Sequence, residues 1–376
     1  MWGTQRFGYA AGVRFLVNFA VPALLAALLP ACAAGQTAGE VSGPWVMEQS
    51  GTTAGLRGIH AVSAEVAWAS GTGGTILRTV DGGTTWTRCA VPPGAEKLDF
   101  RGIWAWDAQT AIAMSSGPGD ASRLYKTVDG CASWKLVVTN PDKDGFWDAM
   151  AALGKVPQIL GDPVGGAFVV AHVGFYDGSP RLWGYSVPAK AKRGAGAFAA
   201  SNSSLVVQGS TSVPRRAWFG AGGKPGAFVY RMDERLIKGS WDVTEYFWRA
   251  VPVPIAGGND SSGVFSLGFR DADHGIAAGG DYTKPNDSAG TAAWSADGGK
   301  TWHAAAKTPH GYRSAVAWDE GLKAWIAAGT NGSDISYDDG KTWLPLDNGN
   351  WNALSLPWVV GPDGRIGKLE AEKLKK

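Results

Sequence analysis

Charge of either sign is scarce in this 376-residue chain: Lys, Arg, Asp and Glu together make up 18% of it and leave a formal net charge of +2. With both signs scattered, no field is strong enough to hold a polyanion, which sets DNA and RNA aside as partners. Histidine is thin as well. His60, His172, His274, His303 and His310 are dispersed with no paired spacing on one element, so no metal site is expected. Three cysteines without a haem-type pair, and no Gly-x-Gly-x-x-Gly after a strand-like run, give no ground for a redox or nucleotide cofactor. Gly220-Ala221-Gly222-Gly223 reads instead as a sharp turn between strands. A membrane span is also lacking. The N-terminal apolar run Phe15 to Leu29 is shorter than the roughly 20 residues a spanning helix needs, and Asn18 and Pro22 break it.

What the chain has in abundance is glycine, 54 residues, and tryptophan, 19, within a 45% apolar composition. Such a chain is turn-dense and can bury a large core. Arg6 and Arg14 before the apolar run, with Ala31-Cys32-Ala33-Ala34 after it, have the form of an export signal over residues 1–34. Leu29-Pro30-Ala31-Cys32 also approaches a lipobox, in which Cys32 would be acylated; the two processing routes remain alternatives. Either route leaves Cys89 and Cys131 in the mature chain, and an oxidising compartment would favour a disulfide between them. The expected location is periplasmic or extracellular, with a lipid anchor through Cys32 as the variant.

Internal repetition dominates the rest. Thr79 to Trp86, Thr127 to Trp134, Ser295 to Trp302 and Ser336 to Trp343 all have the form S/T-x-D-x-x-x-S/T-W, with Asp81, Asp129, Asp297 and Asp338 at the third position. Asp and Gly favour a tight hairpin turn, Asp and Ser/Thr side chains can bond turn backbone, and the closing Trp can cover a hydrophobic edge. Each copy ends a longer pattern of short strands, best seen in Leu56-Arg57-Gly58-Ile59, Val66 to Gly71 and Thr75 to Arg78. The same pattern recurs at Phe100 and Tyr312, and in less regular form near Phe146, Ala197, Val264 and Trp351, making seven repeats. Two of them hold decayed turns, around Asp177 to Trp183 and Asp233 to Trp241, the second enlarged by Arg231 to Trp248. The seventh lacks a fourth strand, and Trp45 to Gln49 is the segment expected to supply it. The fold class expected is all-β, a seven-bladed propeller over residues 45–369, closed by that N-terminal strand so that no edge is left open, followed by a charged tail, 370–376. It is read as a monomer.

On these residues the chain resembles the Asp-box (bacterial neuraminidase repeat) superfamily. It is more closely similar to the photosystem II stability and assembly factor family and its relatives in bacteria without photosystems. The likeness rests on the Arg-Gly-Ile strands at Arg57 and Arg101, on Gly71 to Thr79 and on the four Asp boxes, and it spans about Trp45 to Leu369. It implies a propeller that assists assembly of a membrane protein complex, without naming the client.

The first strands begin at Arg57, Arg101, Asp148, Arg313 and Asn352, and the second strands end near Asp162, Asp281 and Asn331. In an antiparallel sheet those two sets share one end, opposite the Asp boxes. A polar mouth is therefore expected there, binding another protein, in an envelope or membrane complex, without catalysis. The same residues would serve a purely structural role if they only satisfied one another. A glycan-acting enzyme is the alternative, with Asp148, Asp162 or Asp281 as its acid; the sialidase Arg-Ile-Pro segment is lacking, and Glu245-Tyr246 falls in the irregular fourth repeat. Trp104, Trp147 and Trp351 could form a carbohydrate-stacking platform, but first-strand aromatics in a propeller are usually core.

Overall fold

The computed structural model describes residues 43–176, 179–184, 188–209, 216–238 and 243–374. The expected export signal, Cys32, Asp177 and Trp241 lie outside them. The regular structure of the described residues is antiparallel strand apart from two short 3-10 turns. No described helix is long and apolar enough to cross a membrane.

Three repeats form four-stranded meanders in chain order. The first comprises Leu56–Ala61, Ala67–Gly71, Ile76–Thr79 and Thr87–Arg88, and the second Phe100–Ala105, Ala111–Ser115, Arg123–Thr127 and Lys135–Thr139. The sixth comprises Ala315–Asp319, Ala324–Gly329, Gly332–Ser336 and Leu344–Asp347. The seventh contributes Ala353–Ser355, Trp358–Val360 and Ile366–Leu369, and Trp45–Glu48 pairs antiparallel with Ile366–Leu369 as its outer strand. Glu48 on that strand accepts the indole N–H of Trp86 at 2.7 Å and of Trp358 at 3.2 Å, tying together the first and last repeats.

The middle of the chain is less regular. The third repeat, Trp147–Leu153, Val156–Val164, Ala167–Tyr176 and Ser179–Gly184, gains the short strand Ala189–Lys190. The fourth has Arg216–Gly223 as its second strand, and Gly222 pairs with Gly263 of the fifth repeat, so the two count as one nine-stranded sheet joined at one residue pair. The fourth repeat's first strand is interrupted: Ala195–Gly196, beside the expected Ala197, and Leu205–Gln208 both pair antiparallel with Arg216–Gly223. Residues 197–204 instead run among the inner strands, where polar side chains serve other repeats. Asn202 Oδ1 accepts from Met150 N at 2.7 Å, Ser201 Oγ donates to Ser314 O at 2.6 Å, and the Ser203 and Ser266 hydroxyls share a 2.7 Å bond. Asp233, read as a decayed turn, lies inside the ten-residue strand Phe228–Ile237 and accepts from Arg249 Nε at 2.8 Å. Its extension pairs with Val243–Pro252, which accounts for the enlarged repeat.

Second strands such as Ala67–Gly71, Ala111–Ser115 and Ala324–Gly329 are buried at every position. A strand covered on both faces reads as a continuous apolar and small-residue run, as these do. Seven apolar clusters lie between repeats rather than within them. Six join consecutive repeats, and the seventh joins Leu56 and Trp86 of the first to Trp358 and Ile366 of the last.

The four S/T-x-D-x-x-x-S/T-W turns share one hydrogen-bond pattern. At Asp81, Thr79 Oγ1 and Thr85 N donate to Oδ1, each at 2.9 Å, and Thr85 Oγ1 donates to Oδ2 at 2.6 Å. Asp129, Asp297 and Asp338 repeat it. The bonds from Ser133, side chain then backbone, hold the Asp129 carboxyl at about 2. The closing tryptophans wedge between sheets: Trp86 meets Trp358 edge-on at 6.2 Å and Trp134 meets Trp68 at 6.3 Å. Cys89 and Cys131 form a disulfide with Cα atoms 5.2 Å apart, linking the first repeat's outer strand to the second repeat's turn.

Candidate functional site

The register fixes which residues meet. In the first repeat Leu56 pairs with Gly71 at one end, while Ala67 pairs with both Ala61 and Thr79 at the other, where the Asp81 turn follows. First-strand starts and second-strand ends therefore share the end away from the turns.

At that end the ladders are interrupted in a repeated way. Pairing skips one residue between Leu56 and Gly58, Phe100 and Gly102, Trp147 and Ala149, and Val264 and Ser266. The skipped residues are Arg57, Arg101, Asp148 and Phe265. A further skip, between Gly161 and Pro163 on a second strand, releases Asp162. A bulged residue leaves the ladder and its side chain is re-aimed. All five line one recess of about 480 Å³. The glycines of the Arg-Gly-Ile strands have a separate reason: a Cβ on Gly58 would sit 2.7 Å from Arg101 O of the next repeat.

Asn352 completes the set of sequence candidates that reach the recess; Phe198, Phe265, Tyr282 and Tyr312, which sequence reasoning passed over, form an aromatic wall in it. Phe198 stacks on Phe265 at 3.8 Å, and Phe265 meets Tyr312 edge-on at 4.9 Å. A signal for Phe265 was present, since Val264-Phe265-Ser266 stands in the register of Leu56-Arg57-Gly58. Phe198 had none, because its segment belongs to no strand.

Three candidates are elsewhere. Arg313 is completely buried, with Nε on Asp334 Oδ2 at 2.6 Å and Nη1 on Asn331 Oδ1 at 2.6 Å. Ala315 stands opposite Ala328 as Gly58 stands opposite Ser70, so Ser314 and not Arg313 holds the place of Arg57, and it is Ser314 that lines the recess. Asn331 is spent on that arginine and on His310 O. Asp281 closes its own loop, accepting from Ser261 Oγ, Thr283 Oγ1 and Asn259 Nδ2. Desolvation would raise it, but those bonds prevail and hold it at about 2. Trp147 and Trp351 are fully buried, and Trp104 packs on His60 at 4.2 Å, so these rings belong to packing.

The recess is electrostatically unfinished. Arg101 is satisfied in part, by Asp99 Oδ2 at 2.8 Å and Ala199 O at 3.0 Å. The Arg57 guanidinium makes no hydrogen bond or ion pair with any described residue; desolvation and then the Arg101 charge push it below its ordinary value. On the other side Asp148 is 2% exposed, and its Oδ2 has no hydrogen-bond partner. Burial, reinforced by Asp162, raises its carboxyl well above the usual range. Burial raises Asp162 too, against the Ala197 N–H it accepts at 2.9 Å. Both carboxyls are thus held above their usual range in the recess that Arg57 and Arg101 also line. No group of three or more His, Cys, Asp or Glu among the described residues is placed to hold a metal ion.

No protein-family model matches the sequence. No curated protein matches it. Solved structures do. YCF48 bound to a D1 peptide superposes with a TM-score of 0.58 over 87% of this chain and 96% of that one, at 15% identity. YCF48 from Cyanidioschyzon merolae gives 0.56 over 88% and 99%, at 18% identity. The WD40 β-propeller domain of Doa1 gives 0.54 over 89% and 99%, at 12% identity. The chain is a β-propeller that resembles YCF48 in fold.

Proposed function

We propose that this chain is an exported propeller of seven blades, closed by its N-terminal strand, that captures a protein segment at the recess while an envelope or membrane complex is assembled. The observation that carries the reading is Arg57, a part-buried guanidinium on a bulge with no internal acceptor. Part burial thins its hydration, and a carboxylate of a partner would supply the charge-assisted bonds it lacks. The aromatic wall beside it offers contact area to the same segment. Similarity in fold to a YCF48 seen with a D1 peptide supports a peptide as the ligand class. The seven clusters between repeats, one joining first and last, support the blade count and closure. The disulfide supports an oxidising compartment.

Crosslinking the purified chain to the native envelope fraction tests this. Arg57→Ala should lose the partner with folding intact, and equal recovery by wild type and variant rejects the recess as the site.

A second reading has one specific observation in its favour: Asp148 and Asp162, both raised, share the recess with two arginines, as an acid acting on a carboxylated sugar would require. Turnover of an acidic glycan, abolished in Asp148→Asn, would establish it over capture.

A further inference from the structure

A second cavity has a different origin. Each tryptophan closing an Asp turn wedges against the second strand of the preceding repeat. Trp86 meets Trp358, Trp134 meets Trp68, and Trp302 and Trp343 share clusters with Trp218 and Ile276 respectively. In the second repeat the position of Trp68 is held by Ile112, opposite Trp104 as Trp68 is opposite His60. No wedge follows it. The third repeat has no S/T-x-D-x-x-x-S/T-W turn, and Trp183 lies on its outer strand, 44% exposed.

Where the indole would sit, a largely apolar gap of about 310 Å³ opens between the second and third repeats. Ile112, Val173 and Pro157 line it, and all three are buried. Leu136, 53% exposed, stands at its side. Lys126, Lys135 and Lys155 also line it, all exposed, and no Asp or Glu does. None of the three lysines forms an ion pair among the described residues, although Asp107 lies near enough to Lys155 to feel its charge.

We propose that this gap is a docking site for a partner-protein segment that inserts an aromatic side chain flanked by carboxylates. The aromatic is assigned by the neighbouring junctions, where the chain's own indole fills the corresponding place. The flanking acids are assigned by charge, since three lysines with no acid among them attract anions and repel cations. The site is independent of the recess and stands whether or not the capture reading does.

Three synthetic peptides probe it on the full chain by saturation-transfer NMR: acetyl-Glu-Glu-Trp-Glu-Glu-amide, its lysine counterpart, and the acidic peptide with Ser for Trp. The acidic Trp peptide should bind at least tenfold tighter than the other two. Ile112→Trp, which fills the gap from within, should abolish that binding. Leu136→Asp, a surface change that spares the core, should weaken it severalfold. Reversing all three lysines to Glu should shift preference to the lysine peptide. Equal binding of acidic and basic peptides, or no binding of the acidic one, overturns the proposal. So does binding that survives Ile112→Trp but falls with Arg57→Ala, which would assign the peptide to the recess.

Discussion

At the end of each regular repeat where the third strand turns into the fourth, every carboxylate oxygen of Asp81 is met by a donor from its own turn, and the following tryptophan is wedged between sheets. At the opposite end, Arg57 has no partner among the described residues, and Asp148 Oδ2 is buried without one. One end repeats and satisfies itself; the other departs from repetition at its bulges and leaves polar groups wanting. The contrast separates holding the fold together from engaging something else. Arg313, one position before the recess-lining Ser314, belongs with the self-satisfied groups through Asp334.

The largest expected effects lie at the turn end. Trp343→Ala removes a fully buried indole and should cost about 3–5 kcal/mol in chemical denaturation. Replacing Cys89 and Cys131 together by Ser opens a loop closed across 42 residues and should cost about 4 kcal/mol by the same measurement. If either change instead abolished partner capture while stability held, the division between the two ends would fail.

The recess should show the opposite pattern. Arg57→Ala gives up charge-assisted bonds worth about 1.5–3 kcal/mol, a loss of roughly 10- to 100-fold in partner affinity, with little change in melting. Asp148→Asn should stabilise the protein at pH 7 by about 1–3 kcal/mol, because it removes a buried carboxyl whose Oδ2 lacks a partner. The sign follows from linkage. A carboxyl raised in the folded state keeps its full contribution below its unfolded value and loses it as pH rises through the folded one. Wild type should therefore lose melting temperature above about pH 4 relative to the Asn variant, and parallel melting curves across pH would contradict the assignment. A smaller loss than for Trp343→Ala, about 1–2 kcal/mol, is expected of Trp183→Ala, since that ring is 44% exposed.

The repeated half of this architecture could be read from the sequence because its determinants are local. The S/T-x-D-x-x-x-S/T-W spacing encodes a turn whose hydrogen bonds span four residues, and the N-terminal strand was legible from the missing fourth strand of the last repeat. The recess was half legible. Register placed Arg57, Arg101, Asp148, Asp162 and Asn352 at one end, but the one-residue offset that puts Ser314 rather than Arg313 in the place of Arg57 leaves no mark in composition. Phe198 was hidden because residues 197–204 are held by Ser201, Asn202 and Ser203 reaching strands far away in the chain, and such contacts have no local pattern.

The central claim is tested most directly by comparing Arg57→Ala with Asp338→Asn in one crosslinking recovery from the native envelope, each variant melted in parallel. Division of labour predicts that Arg57→Ala melts like wild type and recovers no partner, whereas Asp338→Asn melts lower and recovers it in full. Partner recovery by Arg57→Ala at the wild-type level would contradict it.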